Sequence, residues 1–106
     1  MEVRIANKEN FLVCEIELEK PITPEDIESI LEKIPSAGPE GIIISGRIPM
    51  WLLGAIVHHC HPRPWVAVFD PRLNAGVIVA SHTPERGVGD LVPLGDEEEK
   101  REGGQQ

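Results

Sequence analysis

Residues 41–45, Gly-Ile-Ile-Ile-Ser, run through three consecutive isoleucines with no alternation of apolar and polar positions. A short β-branched run of this kind suits a strand covered on both faces, as in a parallel sheet. A Gly46-Arg47 turn follows, and then Pro49, a residue suited to a first helical position. Met50 to Val57 is apolar almost throughout, and the helix it forms extends for about 12 residues before Pro62 and Pro64 stop it. Trp65-Val66-Ala67-Val68-Phe69-Asp70 then reads as a second buried strand. Strand, crossover helix and strand in one sheet close right-handed, so strands 41–45 and 65–70 are parallel. This unit commits the chain to an α/β fold.

The flanking segments fit around it. Residues 2–6 and 11–18 form a hairpin, because Leu12, Cys14, Ile16 and Leu18 alternate with Val13, Glu15 and Glu17. Thr23-Pro24-Glu25-Asp26 is a helix start with Thr as N-cap. Ile27, Ile30, Leu31 and Ile34 continue it as one apolar stripe, and Pro35 ends it. Residues 71–76 form a turn, 77–81 a strand antiparallel to 65–70, and 91–94 a short edge strand in which Pro93 is tolerated. The expected architecture is a single small α/β domain over residues 1–94, with a mixed sheet and two main helices including the βαβ crossover. Residues 95–106, GDEEEKREGGQQ, read as a disordered acidic tail. The crossover helix, apolar on nearly every side, suggests a subunit interface.

Charge narrows the function. The total is −8, with −6 in residues 1–40, +1 in 41–94 and −3 in 95–106, and every basic residue of 41–94 is an arginine. An acidic chain is a poor general nucleic-acid binder, so DNA is not an expected partner. Arginine still suits a small phosphate site, because its fork is rigid and always charged. The start, MEVRIANKEN, turns polar at once, and no apolar run is long enough to span a membrane. The expectation is a cytoplasmic protein in which Cys14 and Cys60 are reduced thiols, Cys14 as an inert core residue.

Parallel strands bring Ser45, Gly46, Arg47, Asp70 and Arg72 to one rim, where ligands favour open α/β sheets. The helix after Arg47 turns its free N–H groups to the same rim, which suits an anion. The segment is not a P-loop, having one glycine and no lysine. Asp70 before Pro71 is equally well read as a turn former. His58, His59, Cys60 and His61 form a second cluster that lacks the remaining ligands of a zinc motif and also suits a helix C-terminus. His82 has no partner in sequence and reads as an exposed residue, and Trp51 reads as core. A helix of about 12 residues rises about 18 Å, so His61 and Asp70 belong to opposite rims.

Three ordered segments, GIIISGRIPMWL, the cluster containing His58 and His61, and PWVAVFDPRL, resemble the small type III CRISPR-associated proteins called Csx-three, or Crn-three for ring nuclease activity. The similarity runs from about Met1 to Ser81. The resemblance implies a mixed α/β subunit that dimerises and cleaves cyclic tetra-adenylate, a second messenger of antiviral defence, with manganese. Earlier descriptions of the family make it a deadenylating RNA exonuclease. On the matching positions it implies His61 and Asp70 as catalytic, and Ser45, Gly46, Arg47 and Arg72 as ligand-binding. Asp70 is then expected to hold the metal, as a carboxylate suited to a hard cation, or to orient the 2′-hydroxyl. The resemblance also implies a ligand held between two dimers, head to tail, so that one copy contributes Asp70 and another His61. Where the family usually has glycine after DPRL, this chain has Asn74, which can adopt the same left-handed conformation. A 3′-end exonuclease acting on short oligoadenylate RNA and a module that binds the ring without cutting it are the alternative readings.

Overall fold

The computed structural model describes residues 1–94; the tail expected at 95–106 lies outside the described residues. Six strands form one mixed sheet: β1 (Glu2–Asn7), β2 (Phe11–Glu17), β3 (Gly41–Ser45), β4 (Trp65–Asp70), β5 (Ala75–Ser81) and β6 (Leu91–Pro93). Their order in space is their order in the chain. β2, β3 and β4 are mutually parallel, and the pairs β1–β2, β4–β5 and β5–β6 are antiparallel. The two parallel steps each need a crossover. The first contains a 3₁₀ turn (Pro24–Asp26) leading into α1 (Ile27–Leu31), and the second contains α2 (Met50–His59).

Both helices lie on one face. Ile30 and Ile34 from the first crossover and Leu52, Ile56 and Cys60 from the second share one buried cluster with Leu12, Cys14, Ile16, Ile42, Ile44 and Val66. Among the described residues the other face carries no helix. Its cluster is Phe11, Ile43, Trp65, Ala67, Ile78 and Val92, with Val13, Phe69 and Leu94 packed against it. The sheet is therefore apolar on both sides at its centre, and this explains the uninterrupted isoleucines of β3: Ile42 and Ile44 go to one cluster and Ile43 to the other. Each such side chain stabilises the fold by roughly 1.5–3 kcal/mol.

On the helix-free face the Trp65 indole lies across Gly41, where an added Cβ would come within 2.0 Å of the ring. Arg86, from the loop after β5, stands 5.3 Å from the Trp65 ring centroid and covers it from outside. Both cysteines are free and buried, and burial pushes the Cys14 thiol up to about 12 and raises that of Cys60.

Four local expectations differ from the structure. The first helix is one five-residue α-helix behind a 3₁₀ turn, whose start is closed by the Asp26 carboxylate accepting the Thr23 N–H at 2.8 Å. Pro49 is the N-cap of α2, outside it, and the helix spans 10 residues. α2 fully buries only Leu52 and Ile56, with Cys60 just past its end continuing the four-spaced stripe, while Met50 is 84% and Trp51 41% exposed, so Trp51 is not a core residue. β5 begins at Ala75, two residues early, because Asn74 closes a tighter turn with φ 52°.

Candidate functional site

The C-terminal ends of β3 and β4 meet on one rim, with Ile42 opposite Val66, Ile43 opposite Ala67 and Ile44 opposite Val68. Gly46 leaves β3 with φ 139°, and a Cβ there would come within 2.3 Å of the Ile16 carbonyl oxygen. Only glycine fits this turn, because the obstacle is the backbone of β2 and cannot swing aside. Arg47 follows in the open and makes no hydrogen bond or ion pair among the described residues. The Pro49 carbonyl accepts the N–H groups of Leu52 and Leu53 at 3.0 Å each. The Met50 and Trp51 N–H groups precede these bonds and have no acceptor within the helix.

Asp70 ends β4 and shapes its own exit. Its Oδ1 accepts the Arg72 N–H at 2.8 Å, and its Oδ2 lies 3.5 Å from the Arg72 guanidinium, which is 87% exposed. The Arg72 N–H, aided by the guanidinium, holds the Asp70 carboxyl below the usual carboxylate range. The turn-former reading of Asp70 is thus realised, and the carboxylate remains at the surface. Ser45, Gly46, Arg47, Asp70 and Arg72 share the rim, but not all share a face. Strand alternation puts Ser45 on the helix-free side with Ile43 and Phe69, and Asp70 on the helical side with Val66. Ser45 lines a groove of about 310 Å³ together with Val13, Glu15, Phe69 and Asn74.

His61 lies on the other rim. It follows α2 and precedes β4, whereas Asp70 ends β4, and a six-residue strand spans roughly 20 Å. One subunit does not bring the two together. Around His61 the fold gathers two further histidines. The His58 ring is parallel to it, with centroids 6.4 Å apart and an interplanar angle of 2°. His82 meets it at an edge, with centroids 4.7 Å apart. His82 Nε2 is 2.9 Å from the His61 carbonyl oxygen and 3.2 Å from His61 Nδ1. His82 is exposed, as expected, but it is not without a partner. The sequence carries no signal for it, because positions 61 and 82 are brought together only in the fold, through the pairing of Ser81 with Trp65 across β4 and β5 and the His82 N–H donated to the Pro64 carbonyl at 2.7 Å. His59 turns away, its Nε2–H donating to the Ile34 carbonyl at 2.9 Å.

A second missed residue holds this end of the molecule. Arg63 is 2% exposed, and its guanidinium donates to the carbonyls of Pro35 and Glu40 at 2.9 Å and of Ala37 at 3.1 Å. It ties the loop before β3 to the turn carrying His61. Its signal in the sequence was an arginine set between two prolines within an apolar block.

Manganese suits Asp70 in kind, since a hard cation prefers carboxylate oxygen. The described residues of one chain do not supply further ligands beside it. Among the described residues no group of three or more His, Cys, Asp or Glu side chains is arranged to hold a metal. No helix of the described residues is long and apolar enough to cross a membrane.

Comparison with known proteins identifies the family. Residues 15–93 match the family model described as CRISPR-associated protein (Cas_csx3). An uncharacterised protein of Aquifex aeolicus (strain VF5) is 39% identical over 95 residues, covering 85% of this chain and 83% of the relative. The match includes the Gly46 turn, the histidine cluster and the Asp70 turn, and the chain belongs to the Csx-three family of CRISPR-associated proteins.

Proposed function

We propose that this protein is a ring nuclease that cleaves cyclic tetra-adenylate in the cytoplasm, with each active site completed by two copies of the chain. The observation that carries the reading is the placement of His61 and Asp70 at opposite ends of β4. A ligand enclosed between the Asp70 rim of one subunit and the His61 rim of another meets both residues, and no single subunit offers them together. A homodimer stacked head to tail on a second dimer has this geometry, and membership of a CRISPR-associated family supports a substrate of that defence.

The chemistry follows from the substrate. RNA carries its own nucleophile, so the 2′-oxygen attacks the adjacent phosphorus and the bond to the 5′-oxygen breaks. The 2′-hydroxyl loses a proton and the departing 5′-oxygen gains one. The products carry a cyclic phosphate, or the 3′-phosphate derived from it, and a 5′-hydroxyl. Arg47, Arg72 and the free N–H groups at the start of α2 hold phosphate oxygens against the charge that develops. Gly46 lets the chain turn close to the ligand and Ser45 offers a hydroxyl. His61 serves the proton transfers or the hydrogen bonding at the reacting phosphate. Mn²⁺ would be held by Asp70 with ligands from outside this subunit, and when bound it supplies positive charge beside the phosphate.

The test is cleavage of cyclic tetra-adenylate against linear oligoadenylate of the same length, with and without Mn²⁺. Faster cutting of the ring, dependent on Mn²⁺ and giving cyclic-phosphate ends, is the expected result. Faster cutting of the linear RNA would make the protein a 3′-end exonuclease, and tight binding without turnover would make it a sequestering module.

A further inference from the structure

The contact between His82 and His61 decides which way His61 presents its proton. A carbonyl oxygen can only accept, so the 2.9 Å approach of His82 Nε2 to the His61 carbonyl requires a hydrogen on Nε2. The same N–H faces His61 Nδ1 at 3.2 Å, and Nδ1 must then present a lone pair. Neutral His61 consequently carries its hydrogen on Nε2. That Nε2 makes no hydrogen bond among the described residues, and the side chain is exposed. His58, lying parallel beside His61, is the other titratable group at this ring, and among the described residues no hydrogen bond or ion pair joins His61 to an acidic or further basic side chain.

We propose that His82 is a positioning residue that fixes His61 in the Nε2–H tautomer, so that His61 meets its ligand as a hydrogen-bond donor. The inference rests on the ring-nuclease reading for the identity of that ligand, a phosphate oxygen or the departing oxygen. It sharpens the role of His61. In this tautomer Nε2 has no lone pair, so His61 cannot take the 2′-hydroxyl proton there. A protonated Nδ1 would set two N–H groups against each other, so proton uptake at Nδ1 needs the His82 contact to break. A neutral imidazole that donates to developing negative charge is an established way of using histidine without acid–base turnover.

Nitrogen NMR of histidine-labelled, ligand-free protein tests this directly, because the two ring nitrogens resonate differently with and without hydrogen. In the wild type at alkaline pH, His61 should show a hydrogen-bearing Nε2 and a bare Nδ1, and His82 a hydrogen-bearing Nε2. In His82→Ala the His61 signals should move toward the averaged positions of a tautomer mixture. His82→Gln keeps an N–H donor within reach and should restore the wild-type pattern in part. In the cleavage assay His82→Ala should lower kcat by on the order of 10-fold to 100-fold with little change in KM, and His82→Gln should recover part of it. A hydrogen on His61 Nδ1 in the wild type would overturn the assignment. So would a His82→Ala variant whose His61 signals or kcat match the wild type. Because the spectra need no substrate, they decide the tautomer even if the ring is not cleaved.

Discussion

Replacing Arg63 should unfold this protein far more readily than truncating the exposed side chains of the rim, Arg47 and Arg72. The guanidinium donates to three backbone carbonyls, those of Pro35, Ala37 and Glu40, from a position 2% exposed to solvent. In Arg63→Ala each carbonyl loses its donor, at about 1–3 kcal/mol for a buried acceptor left unpaired. Opening of the 35–40 loop to water offsets part of this, so the net loss should be about 3–5 kcal/mol. A domain of this size is stable by roughly 5–14 kcal/mol in total, so the variant keeps only a fraction of it. The melting temperature should fall by about 15–30 °C. Arg63→Met keeps most of the apolar stem and separates packing from hydrogen bonding, and it should lose nearly as much. Arg63→Lys can reach one carbonyl in place of three and should fall about midway. Urea unfolding followed by tryptophan fluorescence measures all three, since Trp65 lies in the core. An Arg63→Met variant within about 1 kcal/mol of wild type would refute the reasoning, because packing alone would then account for this residue.

Other expectations follow from the two rims. A mixture of His61→Ala and Asp70→Ala proteins should regain part of the cleavage activity that each lacks, since some mixed assemblies contain one intact pair; no recovery from two folded variants would exclude a shared site. Gly46→Ala should lose about 2–4 kcal/mol in a denaturant titration, because φ 139° is unfavourable to alanine and its Cβ meets the Ile16 carbonyl; a stability equal to wild type would show that the turn can relax. The depressed Asp70 carboxyl contributes stability that is present above the ordinary carboxylate range and is lost as pH falls through its lower folded-state value. Wild type should therefore lose its advantage over Asp70→Asn as thermal unfolding is followed from neutral pH down to about pH 2, and a difference independent of pH would remove the Arg72 bond as its cause.

Much of this fold was legible in the chain because local rules and global packing agree along it. The isoleucine run of β3, the proline-bounded helix and the strand 65–70 allow one crossover, and chirality leaves one hand for it. Gly46 and Asn74 were readable as turn residues for the same reason: a positive φ excludes most side chains wherever the turn sits. The opposite placement of His61 and Asp70 also followed from sequence, since helix rise and strand rise are nearly independent of side chains. Tertiary structure decided the rest. Whether an apolar helix is buried all round depends on what faces it, and in α2 only one stripe meets the sheet, leaving Met50 and Trp51 outside. Ser45 and Asp70 share a rim but not a face, which depends on strand phase at that rim. The partnership of His82 with His61 arises from the register of β4 with β5, across 21 residues of chain. Arg63 is buried because a loop 23 to 28 residues earlier in the chain lays its carbonyls around the guanidinium. Short-range chemistry specified the elements and their directions, while contacts between distant segments determined which side chains meet.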